Sequence, residues 1–168
     1  RRQRQMCIRD SPGGPLIDKY AKEGNPDRFT FTFPKTEGYT YSFSGLKTQF
    51  MNFINKEKQQ NPQFVEENLA DICASYQRHI IDYLFKKLEV LADELQIKDV
   101  AISGGVSANS ELRTRLTDVG IRKGWRTFIP EFQYCTDNAA MIAITGYYKY
   151  LKGEFAEMNV APKARFGI

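Results

Sequence analysis

Three short segments hold residues whose types and spacing could do chemistry. The first is DVAISGGVSANSELR, residues 99–113. Two glycines, Gly104 and Gly105, directly follow a run that reads as a buried strand, and glycine lets a ligand approach the backbone closely. The helix that follows offers free N–H groups and the positive end of its dipole. Together they would make a nucleotide contact at the carboxyl edge of a sheet, although strand, Gly-Gly and helix also occur as plain turn chemistry. Asn109 reads as part of that contact or as a helix-capping side chain. The second segment is YCTDNAAMIA, residues 134–143. Asp137 sits in the first turn of a helix, where it stabilises the dipole by about 0.3–1 kcal/mol or serves as a metal ligand or base. The third is PGGPLID, residues 12–18. Gly14 leads a helix and Asp18 lies one turn on, on the same face. A carboxylate there could hold ribose hydroxyls, or it is a solvent-facing early-helix acid.

Other titratable residues carry less. His79 is the single histidine, at the border of an apolar helical stripe, and reads as structural or surface. Arg113, Arg115, Arg122, Lys123 and Arg126 could face RNA phosphates, or form a solvated face with the interspersed acids. Cys7, Cys73 and Cys135 show no metal or redox spacing, and Cys73 and Cys135 read as small buried hydrophobes.

The elements that position these residues follow from periodicity. Gly14-Pro15 opens a short helix, since proline fits the first helical position, and Gly24 can close it. Residues 29–33, FTFTF, and then Tyr39, Tyr41 and Phe43 alternate with the two-residue period of strands. Ser44 caps a helix with Leu46, Phe50, Phe53 and Ile54 on one face, and Asn61-Pro62 ends it. A long helix from about Val65 to Leu95 carries a stripe from Leu69 through Ile72, Tyr76, Ile80, Tyr83 and Leu88 to Leu95. Residues 99–103 read as a strand, a helix follows with Leu112, Leu116 and Val119, and residues 126–130 form another strand. Thr136 caps a last helix bearing Met141, Ile144, Tyr148 and Leu151. Alternation of strand and helix argues for an α/β sheet with crossover helices.

A chain of 168 residues is one domain by length, and enough to bury a core. With 42% hydrophobic and 26% charged residues it has the profile of a globular protein. No apolar run approaches the ~18 residues of a membrane span, and no start resembles a secretory signal, so a cytoplasmic location is expected. The net charge of +4 overstates the basicity. Arg1, Arg2, Arg4 and Arg9 outweigh Asp10 in residues 1–11, and without that segment the charge falls to +1. The segment has no period that could bury a face, and is expected to be a foreign or disordered tail; the alternative is a basic arm for nucleic acid.

In their order, GGPLIDKYA, YSFSGLKT, AISGGVSAN with LR two residues on, CTDNAAMIA and the closing KARF resemble the signature blocks of the universal tRNA threonylcarbamoyladenosine transferase family. The resemblance spans roughly Pro12 to Phe166. It implies an α/β fold, the C-terminal half of an actin-like, sugar-kinase and heat-shock-ATPase architecture, with a mixed sheet, flanking helices and a helical subdomain. Residues 12–98 would form the helical and β subdomain, and residues 99–168 the segment that contacts nucleotide and metal. The implied reaction moves threonylcarbamoyl from threonylcarbamoyl-AMP to the exocyclic amine of the tRNA adenosine beside the anticodon. Carried over position by position, Gly14, Asp18 and Asn109 contact the nucleoside, and Asp137 becomes a ligand of an iron or zinc ion. Implied companions are a non-catalytic paralogue and a small ATPase. The family's other metal ligands are two histidines one helical turn apart, which His79 does not match, and its first phosphate-contacting segment has no counterpart here. The chain is therefore expected to be a C-terminal fragment that alone binds adenine nucleotides weakly and does not modify tRNA. Other classes to weigh are an actin-like ATP-dependent phosphotransferase, a non-catalytic binding domain, and the glycoprotein metalloendopeptidase activity formerly ascribed to the family.

Overall fold

A computed structural model describes residues 13–136 and 138–161. Six α-helices are described: α1 (Gly13–Ala21), α2 (Phe43–Gln60), α3 (Phe64–Glu67), α4 (Leu69–Glu94), α5 (Ser110–Lys123) and α6 (Ala139–Leu151). Two strands, β1 (Asp99–Ala101) and β2 (Arg126–Phe128), pair in parallel with Val100 opposite Thr127. Parallel neighbours need a crossover, and α5 supplies it. The expected mixed sheet is thus, among the described residues, a purely parallel pair, shorter at both strands than the sequence suggests.

The core lies where α4 and α5 cover that pair. Ile81, Phe85 and Ala92 of α4 meet Val100 of β1, Leu112, Leu116 and Val119 of α5, and Trp125. The expected stripe of α5 is its buried face, whereas the α4 stripe is only partly so. Ile72, Cys73, Tyr83 and Ala92 are buried, Tyr76, Ile80, Leu84 and Leu88 are half-buried, and Leu69 and Leu95 are exposed. The core is also reached by Ile81 and Phe85, which lie outside that stripe. Gly124, at φ 65°, ends α5 in the left-handed conformation, and Trp125 N–H returns 2.8 Å to the Gly120 carbonyl, as a glycine C-cap does.

The strands expected at residues 29–33 and 39–43 do not form. Residues 25–42 run instead as an irregular strap along α4. Its alternation is realised in burial, with Phe29, Phe31 and Phe33 turned inward and Thr30 and Thr32 outward. Its backbone polar groups, which must be paired somewhere, go to side chains of α4 rather than to a strand. Asp71 accepts from Asn25 N–H at 2.7 Å, and Ser75 Oγ accepts from Phe29 N–H and donates to the Asn25 carbonyl, both at 3.1 Å. Tyr83 Oη accepts from Ser42 N–H at 3.0 Å. Lys87 Nζ donates to Thr36 Oγ1, Gly38 O and Thr40 O at 2.5–2.9 Å, using all three of its protons. With His79, these residues recur every four positions and so share one face of the helix.

Smaller differences concern helix ends. Ser42 rather than Ser44 caps α2, and Asn138 rather than Thr136 caps α6. The long helix is interrupted at Asn68, which separates α3 from α4. Helix α6 has no buried residue, so the apolar face bearing Met141, Ile144, Tyr148 and Leu151 is open to solvent. No described helix is long and apolar enough to cross a membrane. Residues 1–11, expected as a tail, lie outside the described residues.

Candidate functional site

Helix α1 and the turn between β1 and α5 meet at an open pocket of about 410 Å³. Gly14, Pro15 and Asp18 line one side, and Gly105, Val106, Ala108 and Asn109 the other. The chain passes from β1 into this turn through Gly104, at φ 79° and ψ 177°, a backbone region open essentially to glycine alone. Ser107 then ties the turn down, its N–H and Oγ donating to the Gly104 carbonyl at 2.9 and 2.7 Å. At Gly14 and Gly105 an added Cβ would meet no protein atom within 4 Å. Packing therefore does not require glycine at either of these pocket-lining positions. Three of the four expected site residues, Gly14, Asp18 and Asn109, are brought together. Asp137 lies outside the described residues.

Asp18 joins the two walls across more than ninety residues of sequence. Its Oδ1 accepts from Ser110 Oγ at 2.8 Å, from Ser110 N–H at 3.3 Å and from Asn109 Nδ2 at 3.2 Å. Its Oδ2 accepts only a shared, long bond of 3.3 Å from the same Ser110 N–H. Asn109 caps α5, Oδ1 accepting from Leu112 N–H at 2.9 Å, and also lines the pocket. Its Nδ2 also donates to Gln77 Oε1 at 2.7 Å. The helix N-terminus that the sequence offers as free is therefore partly occupied: Asp18 holds the N–H of Ser110, and Asn109 that of Leu112. The positive end of the α5 dipole is met by a carboxylate of the chain itself, and it does not present a bare anion site.

Gln77 and Ser110 escape the sequence reading. The signal for Gln77 is an amide between Tyr76 and Ile80–Ile81 on the core face of α4. Ser110 reads only as the polar start of a helix. An apolar trough of about 520 Å³ adjoins the pocket, sharing Gly14, Val106 and Asn109 with it and continuing over Ile80 and Leu84.

The basic residues that could face RNA are engaged by the protein. Arg113 donates to the Ser107 and Pro130 carbonyls at 2.9 and 2.8 Å and lies 4.3 Å over the Phe132 ring, so it clamps the pocket turn to the residues after β2. Arg115 pairs with Asp82 at 2.8 Å, Arg122 with Glu89 at 2.9 Å, Lys123 with Asp93 at 2.6 Å and Arg126 with Asp99 at 2.5 Å. The two cysteines read as hydrophobes are indeed buried, Cys73 and, almost completely, Cys135; burial pushes the Cys73 thiol pKa up.

His79 is buried away from the pocket. Phe33 stacks on it at 4.7 Å and Phe31 lies at 5.4 Å. Burial holds its imidazole below the ordinary 6.5, against the opposing pulls of a Thr32 backbone hydrogen bond and the Asp82 charge. Among the described residues no three His, Cys, Asp or Glu side chains are grouped to hold a metal ion.

Known proteins match these features. The family model of tRNA N6-adenosine threonylcarbamoyltransferase matches residues 4–144, a range that reaches into the segment read as a tail. The protein of that name from Riemerella anatipestifer is 53% identical over 159 residues, covering 95% of this chain and 47% of the relative. That from Porphyromonas gingivalis is 52% identical over 157 residues, covering 94% and 46%. A more distant one, from Clostridium beijerinckii, is 42% identical over 154 residues, covering 90% and 44%. The chain thus spans about half the length of the curated relatives it matches.

Proposed function

The chain belongs to the tRNA N6-adenosine threonylcarbamoyltransferase family, and from that premise we propose that it forms the nucleoside-holding part of a tRNA-modifying acyltransferase. The parent reaction joins the exocyclic amine of a tRNA adenosine to the carbamoyl carbon of threonylcarbamoyl-AMP. A C–N bond forms, the C–O bond to the phosphate breaks, the amine loses a proton, and AMP leaves. Under this reading residues 12–168 are the C-terminal lobe of an actin-like fold, residues 12–98 being the mainly helical part, and the enzyme works where tRNA is, in the cytoplasm. A non-catalytic paralogue and a small ATPase are its proposed companions.

The observation that carries the reading is the convergence of Gly14 and Asp18 from α1 with Gly105 and Asn109 from the β1–α5 turn on one pocket. Asp18 Oδ2, the less engaged oxygen, is the acceptor proposed for a ribose hydroxyl. Gly14 and Gly105 leave the space that a sugar and base would fill. The partly occupied N-terminus of α5 favours an uncharged nucleoside at this point over the phosphates of an ATP-dependent phosphotransferase. These residues bind and orient the adenylate, and none is assigned a proton-transfer role. Positioning of this kind can supply much of a group transfer's barrier reduction.

An iron or zinc ion, proposed from the resemblance, would polarise the threonylcarbamoyl group. The described residues do not by themselves fit such an ion, since they hold no group of three ligands. Asp137, its proposed ligand, would share the ion with residues beyond this chain. For the same reason the chain alone is proposed to leave tRNA unmodified.

The test is transfer of labelled threonylcarbamoyl from its adenylate to tRNA by the intact parent polypeptide, with and without Asp18→Asn. A hydrogen bond to a charged group contributes about 1.5–3 kcal/mol, so the variant is expected to need about ten- to a hundredfold more adenylate. Unchanged dependence on adenylate would remove Asp18 from the site.

A further inference from the structure

The pocket's selectivity has a deeper anchor. Asn109 spends its side-chain amide almost entirely on the protein, with one Nδ2 proton to Gln77 Oε1, the other to Asp18 Oδ1, and Oδ1 to Leu112 N–H. The bond to Gln77, at 2.7 Å, is the shortest of the three. Gln77 is 9% exposed and sits well inside the 26-residue α4, whereas Asp18 and Asn109 are only half-buried and lie on a short helix and a turn. The rigid end of the chain of bonds is therefore Gln77. Reversing the Asn109 amide would set its oxygen against the oxygens of Gln77 and Asp18 and its NH2 against Leu112 N–H, so only one orientation satisfies all partners.

We propose that Gln77 is a positioning residue: through Asn109 it holds the Asp18 carboxylate with Oδ2 turned to the pocket, and so sets the site's preference for a ribose diol. The inference rests on the nucleoside reading given above. Without the Gln77 acceptor, one Nδ2 proton has no partner, and a polar group so stranded drives rearrangement of its neighbours. Asn109 can then pivot about its bond to Leu112, and Asp18 Oδ1 loses one of its three donors, leaving the carboxylate held by Ser110 alone and free to turn about that contact.

Adenosine and 2′,3′-dideoxyadenosine are titrated into the 168-residue chain by amide-resolved NMR, which reads weak binding. The wild type, Gln77→Leu, Gln77→Met and Gln77→Glu are compared, with the melting temperature of each. The wild type is expected to favour adenosine about tenfold. Gln77→Leu is expected to bind both nucleosides alike at nearly unchanged melting temperature, with the Asn109 side-chain NH2 signals displaced. Gln77→Glu, which keeps an acceptor, restores the preference, and Gln77→Met replaces Gln77→Leu if the latter does not fold. A preserved tenfold preference in both Gln77→Leu and Gln77→Met overturns the proposal. So does an equal weakening of both nucleosides that tracks a melting temperature several degrees lower, since that is a purely structural role. A wild type with no diol preference overturns the nucleoside reading itself. In that case the Asn109 signals still decide the positioning claim: unmoved in Gln77→Leu they refute it, and displaced together with Ser110 they sustain it.

Discussion

Asp18 holds the start of α5, and its proposed part in nucleoside binding separates from that role by experiment. Its carboxylate meets the N–H and hydroxyl of Ser110 at the start of α5, where a negative charge typically stabilises by 0.3–1 kcal/mol. Asp18→Ala removes both that charge and a partner of Asn109, so a loss of about 1–2 kcal/mol in urea unfolding is expected. Asp18→Asn, which keeps the shape, is expected to lose less stability while still weakening nucleoside binding. His79 makes a second prediction at this scale. Buried against Phe31 and Phe33, it is held neutral, its pKa below the ordinary 6.5. The unfolded chain then binds the proton more readily, so stability is full above about pH 6.5 and falls as pH drops below it. The slope can reach about 1.4 kcal/mol per pH unit for one proton. His79→Gln, replacing the single histidine, is expected to flatten urea midpoints between pH 7 and 5.5. A slope unchanged by the substitution would assign it to carboxylates instead.

At the scale of elements, the pocket turn depends on a backbone that few residues adopt. Gly104, at φ 79° and ψ 177°, would strain any side-chain-bearing residue by roughly 1–3 kcal/mol. Gly104→Ala is expected to lower the melting temperature, and to disturb the amide signals of Gly105–Asn109 more than those of α4. Gly24 shows a different constraint, since a Cβ there would stand 2.1 Å from the Ala70 carbonyl oxygen. The strap after α1 presses backbone to backbone on α4, and Gly24→Ala must move it. The same strap shows how much of the fold is legible in sequence. The alternation of FTFTF correctly gives which side chains turn inward. It does not give a strand, because alternation says nothing of where the backbone hydrogen bonds end. Here Asp71, Ser75, Tyr83 and Lys87 of α4 take them. That partner is forty to fifty residues away and visible in the sequence only as polar residues recurring every fourth position. In the α4–α5 core the 3.6-residue period suffices for α5, which buries Leu112, Leu116 and Val119. Helix α4 is packed on more than one side, and two of its residues in that core, Ile81 and Phe85, fall beside the expected stripe.

At the scale of the whole molecule, α6 stands apart from the core. All its described residues are exposed, including Ile142 at 77% and Tyr150 at 66%. Contiguous apolar surface of this kind marks an interaction site or an aggregation liability. The isolated chain is expected to enhance the fluorescence of an apolar dye and to self-associate as concentration rises. Ile142→Lys with Tyr150→Lys should reduce both at little cost in melting temperature, because neither side chain is packed. A loss of several degrees would show that α6 is docked in solution.

The sequence by itself determined the family, through short motifs in a fixed order, and the helices whose faces are apolar. It also placed Gly14, Asp18 and Asn109 as candidates, since glycines and acids at helix starts are visible one position at a time. Only the tertiary structure decided that Asp18 closes on Ser110 and Asn109, that Gln77 stands behind them, and that Arg113 serves the turn rather than a phosphate. It also decided that the strap pairs with a helix. Apart from the bond of Arg113 to Ser107, these are hydrogen bonds between segments separated in sequence. Such a bond depends on where the packed helices α1, α4 and α5 set their side chains, and periodicity along a single segment carries no information about that.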